Sequence, residues 1–112
     1  VYSIEIKPRL CQAAQETLAE LGFDLAHVRC GDGYGGWPER APFDGIIVTA
    51  APDHVPQPLI DQLVDGGRMV IPVGPRSHQD LLCVTREGDR VEDRFVCGCV
   101  FVKLVGREGW GG

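Results

Sequence analysis

A chain of 112 residues with 44% apolar and 24% charged side chains fits one domain and has enough apolar mass for a core, which excludes a disordered segment. Eleven basic against sixteen acidic residues leave a formal charge of −5, without the basic stripe by which proteins track phosphates, so nucleic acid is not expected as a partner. No apolar run approaches the roughly 18 residues needed to span a bilayer, and no signal-peptide pattern is visible, so no membrane partner is expected.

The chain begins at Val1 and its one methionine is Met69, which reads as a fragment or a processed product. Val1-Tyr2-Ser3-Ile4-Glu5-Ile6 alternates apolar and polar and predicts a strand. Pro8 suits the first turn of a helix, Leu10, Ala14, Leu18 and Leu21 form one apolar stripe, and Gly22 is placed to stop it. Ala26–Cys30 predicts a second strand, followed by the loop Gly31-Asp32-Gly33-Tyr34-Gly35-Gly36-Trp37-Pro38.

Phe43–Ala51, with its run Ile46-Ile47-Val48, predicts a central strand of a parallel sheet covered on both faces. Val55-Pro56 then leads into a short helix through Leu59, Ile60, Leu63 and Val64, stopped by Gly66-Gly67, with the next strand at Arg68–Val73. Leu81–Thr85 and Arg94–Leu104, linked by a turn at Glu87-Gly88-Asp89, predict an antiparallel hairpin. Arg86, Arg90 and Arg94 interleave with Glu87, Asp89, Glu92 and Asp93 and read as a solvated hairpin. The order β-α-β-loop-β-α-β-β-β predicts a single α/β domain over residues 1–112, with helices on both faces of the sheet.

The five cysteines, Cys11, Cys30, Cys83, Cys97 and Cys99, show no C-x-x-C spacing. They read as reduced thiols acting as small core hydrophobes, which points to the cytoplasm. Cys97 and Cys99 share one strand face, but a zinc site needs a second ligand pair, so no metal is expected.

In open α/β sheets ligands sit beyond the carboxyl ends of the strands. That rule selects Glu5, Asp32, the Thr49-Ala50-Ala51-Pro52 turn and Val73-Gly74. The two oxygens of Glu5 match a pair of ribose hydroxyls, although from position alone a surface glutamate near Lys7 is the favoured reading. Asp32, between Gly31 and Gly33, offers an acceptor where the backbone can approach a flat ligand; a plain turn aspartate is the alternative. There is no G-x-G-x-x-G, Walker lysine, H-E-x-x-H or hydrolase triad. Of His27, His54 and His78, His54 is the best placed, yet none is assigned a catalytic role.

Four stretches in order, Val1–Glu5, Cys30–Tyr34, Phe43–Pro52 and Gly66–Gly74, together with the tail Cys99–Arg107, closely resemble the protein-L-isoaspartate O-methyltransferases. The resemblance covers essentially the whole chain. It implies a Rossmann-like class I methyltransferase sheet of the α/β class, here its C-terminal part with a terminal antiparallel hairpin, the first strand and the glycine-rich loop missing. It implies that Glu5 accepts the ribose hydroxyls of S-adenosyl-L-methionine and that Asp32 lies at the adenine, with Gly31 and Gly33 permitting close approach. Thr49, Ala50, Ala51 and Pro52 would line the pocket near the methyl and the incoming carboxylate, and Val102 would help hold the substrate backbone.

The implied substrates are isoaspartyl-containing peptides and damaged proteins, whose methyl ester closes to a succinimide and opens the way to repair. An ionised carboxylate attacking a sulfonium methyl needs positioning and water exclusion more than a general base, so no catalytic residue is implied. Lys103 stands where the family usually has proline. Lacking a central strand, the chain alone is expected to be weakly active or inactive and to self-associate through exposed sheet edges. A class I methyltransferase acting on a small molecule, a non-catalytic interaction module and, last, a thiol or metal module are the other readings.

Overall fold

The computed structural model describes residues 1–104. Its elements follow the expected order: β1 (Tyr2–Glu5), α1 (Pro8–Leu21), β2 (His27–Cys30), two 3-10 turns (Gly33–Gly35 and Pro38–Arg40), β3 (Phe43–Ile47), α2 (Gln57–Asp61), β4 (Leu63–Val73), β5 (Gln79–Glu87) and β6 (Arg90–Cys99). The chain is α/β with a terminal antiparallel pair. No described helix is long and apolar enough to cross a membrane.

The hydrogen-bonded ladders form two groups, which agrees with the expectation that a central strand is missing. β1 and β2 form a parallel pair in register from Tyr2↔His27 to Glu5↔Cys30. A second sheet runs β3-β4-β5-β6, with β3 parallel to β4 and the remaining pairs antiparallel. Among the described strands, β1 and β3 each pair on one side only. Ile47 is 79% exposed, so the both-face burial expected for this strand is not met.

α1 covers the β1-β2 pair, capped by Gly22 in the left-handed region, φ 77°. Its inward stripe is Cys11, Ala14 and Leu18, whereas Leu10 and Leu21 are 57% and 65% exposed. The helix is therefore rolled from the predicted stripe, with Cys11 on its inner side in a disulfide to Cys30 that ties the helix to β2. The expectation of five reduced cysteines fails for this pair, which sequence spacing of 19 residues did not suggest. With it goes the argument from cysteine chemistry to a reducing compartment.

The second sheet holds the core. Leu59 and Leu63 meet Met69, Ile71 and Val84, all buried, with Ile46, Val48, Val55, Ile60, Val73 and Leu82 packed around them. Met69 and Ile71 lie two apart on β4 and so face the same side, which is how α2 is seated on the sheet. α2 ends earlier than predicted because Leu63 already pairs with Phe43; β4 then bulges through Val64–Gly67 before Arg68 resumes pairing at Gly45. Gly66-Gly67 is thus a bulge within the strand, not a helix stop. Gly66 has φ 82°, and a Cβ on Gly67 would lie 2.9 Å from the Val64 carbonyl oxygen. Arg86 is not a solvated hairpin residue either: it is half-buried and donates to the carbonyls of Asp61 (3.1 Å) and Leu63 (2.9 Å), closing the end of α2.

Residues 31–42 join the two sheets. The Tyr2 ring lies 5.0 Å from His27, 5.2 Å from Trp37 and 5.9 Å from Phe43. Arg29 sits over Trp37 at 4.4 Å and pairs with Glu39 at 3.1 Å. A backbone hydrogen bond, and then Arg29, hold the Glu39 carboxyl below its ordinary pKa. The firmest link is Gln62, which is 7% exposed: its Oε1 accepts from the Trp37 amide at 2.9 Å, and its Nε2 donates to the Gly35 carbonyl at 2.8 Å. Gly36 between them has φ 67°, and a Cβ there would lie 2.8 Å from the Gln62 amide carbon. Replacing Gln62 by leucine strands a donor and an acceptor in a buried setting, so urea denaturation should show a loss of about 2–4 kcal/mol. Gly36→Ala should destabilise by the same route, through the clash and the positive φ.

Candidate functional site

The carboxyl ends of β1 and β2 bring four of the expected residues together. Because the strands are parallel and in register, Glu5 lies beside Cys30, and the Gly31 amide donates to the Glu5 carbonyl at 3.0 Å. One carboxylate oxygen of Glu5 accepts from the Lys7 amide at 3.2 Å. Asp32 caps the first 3-10 turn, its Oδ1 accepting from the Tyr34 amide at 2.8 Å. Glu5, Gly31, Asp32 and Gly33 are all half-buried. A Cβ on Gly31 would meet nothing within 4 Å, so the ledge between the two carboxylates is open; one on Gly33 would touch Ile4 at 3.8 Å.

A second group forms where β3 ends. The Val48 amide makes the last sheet bond, to the Val70 carbonyl at 2.9 Å. Thr49 is exposed, Ala50 half-buried, and Ala51 and Pro52 buried. Ala51 is held on both sides: its amide donates to the Val102 carbonyl at 2.7 Å, and its carbonyl accepts from the Leu104 amide at 2.9 Å. This is a parallel bridge of Ala51 with Lys103. Val102, 75% exposed, therefore lies against the Thr49–Pro52 turn. The bridge uses a carbonyl and an amide from the neighbours of Lys103, so a lysine in place of proline leaves these two bonds intact. The Gly74 amide donates to the Pro52 carbonyl at 3.0 Å, which sets the end of β4 against the same turn.

Three features were not singled out in the sequence. Gln79, 1% exposed, donates from Nε2 to the Pro75 carbonyl (2.6 Å) and accepts at Oε1 from the Phe101 amide (2.6 Å). It thereby guides the tail from β6 toward Ala51. Tyr34, 4% exposed, places its hydroxyl on His54 Nε2, and His54 Nδ1 lies 2.5 Å from Asp53 Oδ1. Gln62 fixes the Gly35–Trp37 backbone from below. The Asp53-His54 pair directly after the T-A-A-P turn was the available signal; the two glutamines gave none, since a glutamine is ordinarily a surface residue. Among the described residues no group of three or more His, Cys, Asp or Glu side chains is arranged to hold a metal.

The sequence matches the family Protein-L-isoaspartate(D-aspartate) O-methyltransferase (PCMT) over residues 1–109. It is 51% identical over 107 residues to Protein-L-isoaspartate O-methyltransferase 2 of Shewanella sediminis, covering 95% of this chain and 44% of that one. It is 54% identical over 105 residues to the Protein-L-isoaspartate O-methyltransferase of Gloeobacter violaceus, covering 93% and 51%. The chain thus spans about half the length of the curated relatives it matches. A solved protein-L-isoaspartate O-methyltransferase superposes with a TM-score of 0.90 at 30% identity, covering 97% of this chain and 35% of that one. A Plasmodium falciparum chain, described as a beta-aspartate methyltransferase (PCMT) in complex with S-adenosyl-L-homocysteine, superposes at 0.80 and 22% identity, over 96% and 53%. These superpositions give the fold class as the Rossmann-like methyltransferase sheet.

The Ala51 bridge depends on Gln79. Gln79→Leu should raise hydrogen exchange at the Ala51, Phe101 and Leu104 amides by about tenfold or more, because the tail loses its guide. The Val84 amide, in the middle of β5, should keep its protection.

Proposed function

The chain belongs to the protein-L-isoaspartate(D-aspartate) O-methyltransferase family, and from that premise we propose that it binds S-adenosyl-L-methionine and serves methyl transfer to the α-carboxylate of isoaspartyl residues in peptides and damaged proteins. The observation that carries this reading is the pairing of two carboxylates with open glycine backbone at the carboxyl ends of β1 and β2, linked through Tyr34 and His54 to the Thr49–Pro52 turn.

The donor set suits the cofactor. Glu5 and Asp32 offer anionic acceptors for ribose hydroxyls and an adenine amine, and the open side of Gly31 leaves room for a flat ligand. When bound, S-adenosyl-L-methionine supplies an electrophilic methyl on a sulfonium sulfur. The rest of the work falls to this chain's residues. Ala51 and Pro52, small and buried, shape a dry wall at the turn, and Thr49 presents an exposed hydroxyl beside it. The Val102 carbonyl is committed to Ala51, so Val102 contributes its exposed apolar side chain to the substrate side. The acceptor carboxylate is already ionised at neutral pH, so no proton need be removed, and catalysis rests on alignment and water exclusion.

The setting in this reading is the cytoplasm, an assignment that the Cys11–Cys30 disulfide does not support. The unpaired edges of β1 and β3, with Ile47 and Val1 exposed at 79% and 84%, support self-association of the 112-residue chain on its own.

Two measurements test the reading. The full-length product of the gene encoding this chain should methylate an isoaspartyl peptide and leave the matching aspartyl peptide untouched. Glu5→Gln should weaken its binding of S-adenosyl-L-homocysteine by about tenfold or more, the worth of a charge-assisted hydrogen bond. Absence of methylation by the wild type would remove the proposed activity. For the 112-residue chain alone, calorimetry should detect no micromolar binding of S-adenosyl-L-homocysteine, and micromolar binding would contradict the expectation that it is weak by itself.

A further inference from the structure

The two groups of site residues lie on different sheets, and among the described residues no ladder hydrogen bond joins those sheets. A side-chain chain crosses between them at the site: Tyr34 to His54 to Asp53. Its geometry suits one arrangement of the protons. An ionised Asp53 carboxylate accepts from a hydrogen on His54 Nδ1, and in the Nδ1-H tautomer Nε2 is the acceptor for the Tyr34 hydroxyl. Both ring nitrogens are thereby used and the imidazole orientation is fixed.

The exposures separate this arrangement from an ordinary surface pair. The side chains of His54 and Asp53 are 58% and 59% exposed, so the imidazole is not filling the core, and an exposed His–Asp contact alone contributes little. Tyr34, by contrast, is 4% exposed, and its own amide is the donor that holds Asp32 in its turn. Tyr34 thus touches the Asp32 turn through its amide and His54 through its phenol. At the other end, Asp53 follows Pro52, whose carbonyl is held by the Gly74 amide at 3.0 Å. The chain thus runs from the residue assigned to the adenine to the turn assigned to the reacting carboxylate.

We infer that His54 is a positioning residue: by accepting from Tyr34 while donating to Asp53, it sets the spacing between the Gly31–Gly35 loop and the Thr49–Pro52 turn. This rests on the methyltransferase reading above for its kinetic consequence, but not for its structural one. His54 touches neither cofactor nor substrate in this role. It keeps the two ends of the cofactor site in one alignment, so its loss disturbs methyl transfer more than cofactor affinity.

The test is a double-mutant cycle in the full-length gene product. His54→Ala and Tyr34→Phe should each lower kcat for isoaspartyl-peptide methylation by about tenfold or more, since small misalignments are costly. The dissociation constant for S-adenosyl-L-homocysteine should change by less than about threefold, and the double variant should be no worse than either single one. His54→Gln, which can still accept from the phenol and donate to Asp53, should recover most of the loss.

An unchanged kcat, additive losses in the double variant, or an equal fall in kcat and cofactor affinity would each overturn the inference. If the wild type itself does not methylate, the functional reading falls and amide exchange decides the positioning role. Without cofactor, both single variants should speed exchange at Gly33, Tyr34 and Gly36 by a similar factor of about ten. Unaltered exchange at those amides would overturn it.

Discussion

The molecule depends on one buried amide. Gln62 closes α2, starts the connection into β4, and spends its side-chain donor and acceptor on the backbone of the loop that leads out of β2. Its own carbonyl accepts from the Phe43 amide at 2.7 Å, so the same residue also anchors the start of β3. Buried polar groups stabilise little when satisfied and cost much when abandoned. The contact therefore acts as a constraint on geometry more than as a source of stability. It dictates a glycine at position 36, because the amide group of Gln62 occupies the space where a Cβ would project.

The same device recurs wherever the site loops must be held. Gln79 reaches the Pro75 carbonyl and the Phe101 amide, Arg86 reaches the carbonyls of Asp61 and Leu63 where α2 passes into β4, and Asp65 accepts from the Gly88 amide at 2.7 Å. Each is a long or polar side chain from one element fixing the backbone of another. The sheets provide rigid strands, and these cross-links decide where the loops between strands lie. Tyr34 and His54 extend the pattern to the site itself, by a contact between side chains only.

The placement of the candidate site residues was legible in the sequence because they follow strand ends. Parallel register puts Glu5 next to Cys30 and so next to Gly31, and a strand of Ile46-Ile47-Val48 delivers the Thr49–Pro52 turn to the same kind of position. The bridge from Ala51 to Lys103 agrees with the grouping of Val102 with that turn. What escaped were interactions between residues 20 to 27 positions apart whose types carry no local signal: Tyr34 with His54, Gln62 with Gly35, Gln79 with Phe101. The Cys11–Cys30 bond escaped for the same reason, and with it the roll of α1.

Local chemistry determined the order of strands and helices, the Gly22 helix stop, the β5-β6 hairpin and the identity of the site loops, because periodicity, backbone freedom and turn propensity act over a few residues. Tertiary structure alone decided that Gly66-Gly67 bulges inside a strand and that Arg86 turns inward. It also decided which polar side chains are buried. Those outcomes depend on which hydrogen-bonding groups find partners across the fold, and a buried amide or guanidinium has no preference until distant backbone is brought within about 3 Å of it.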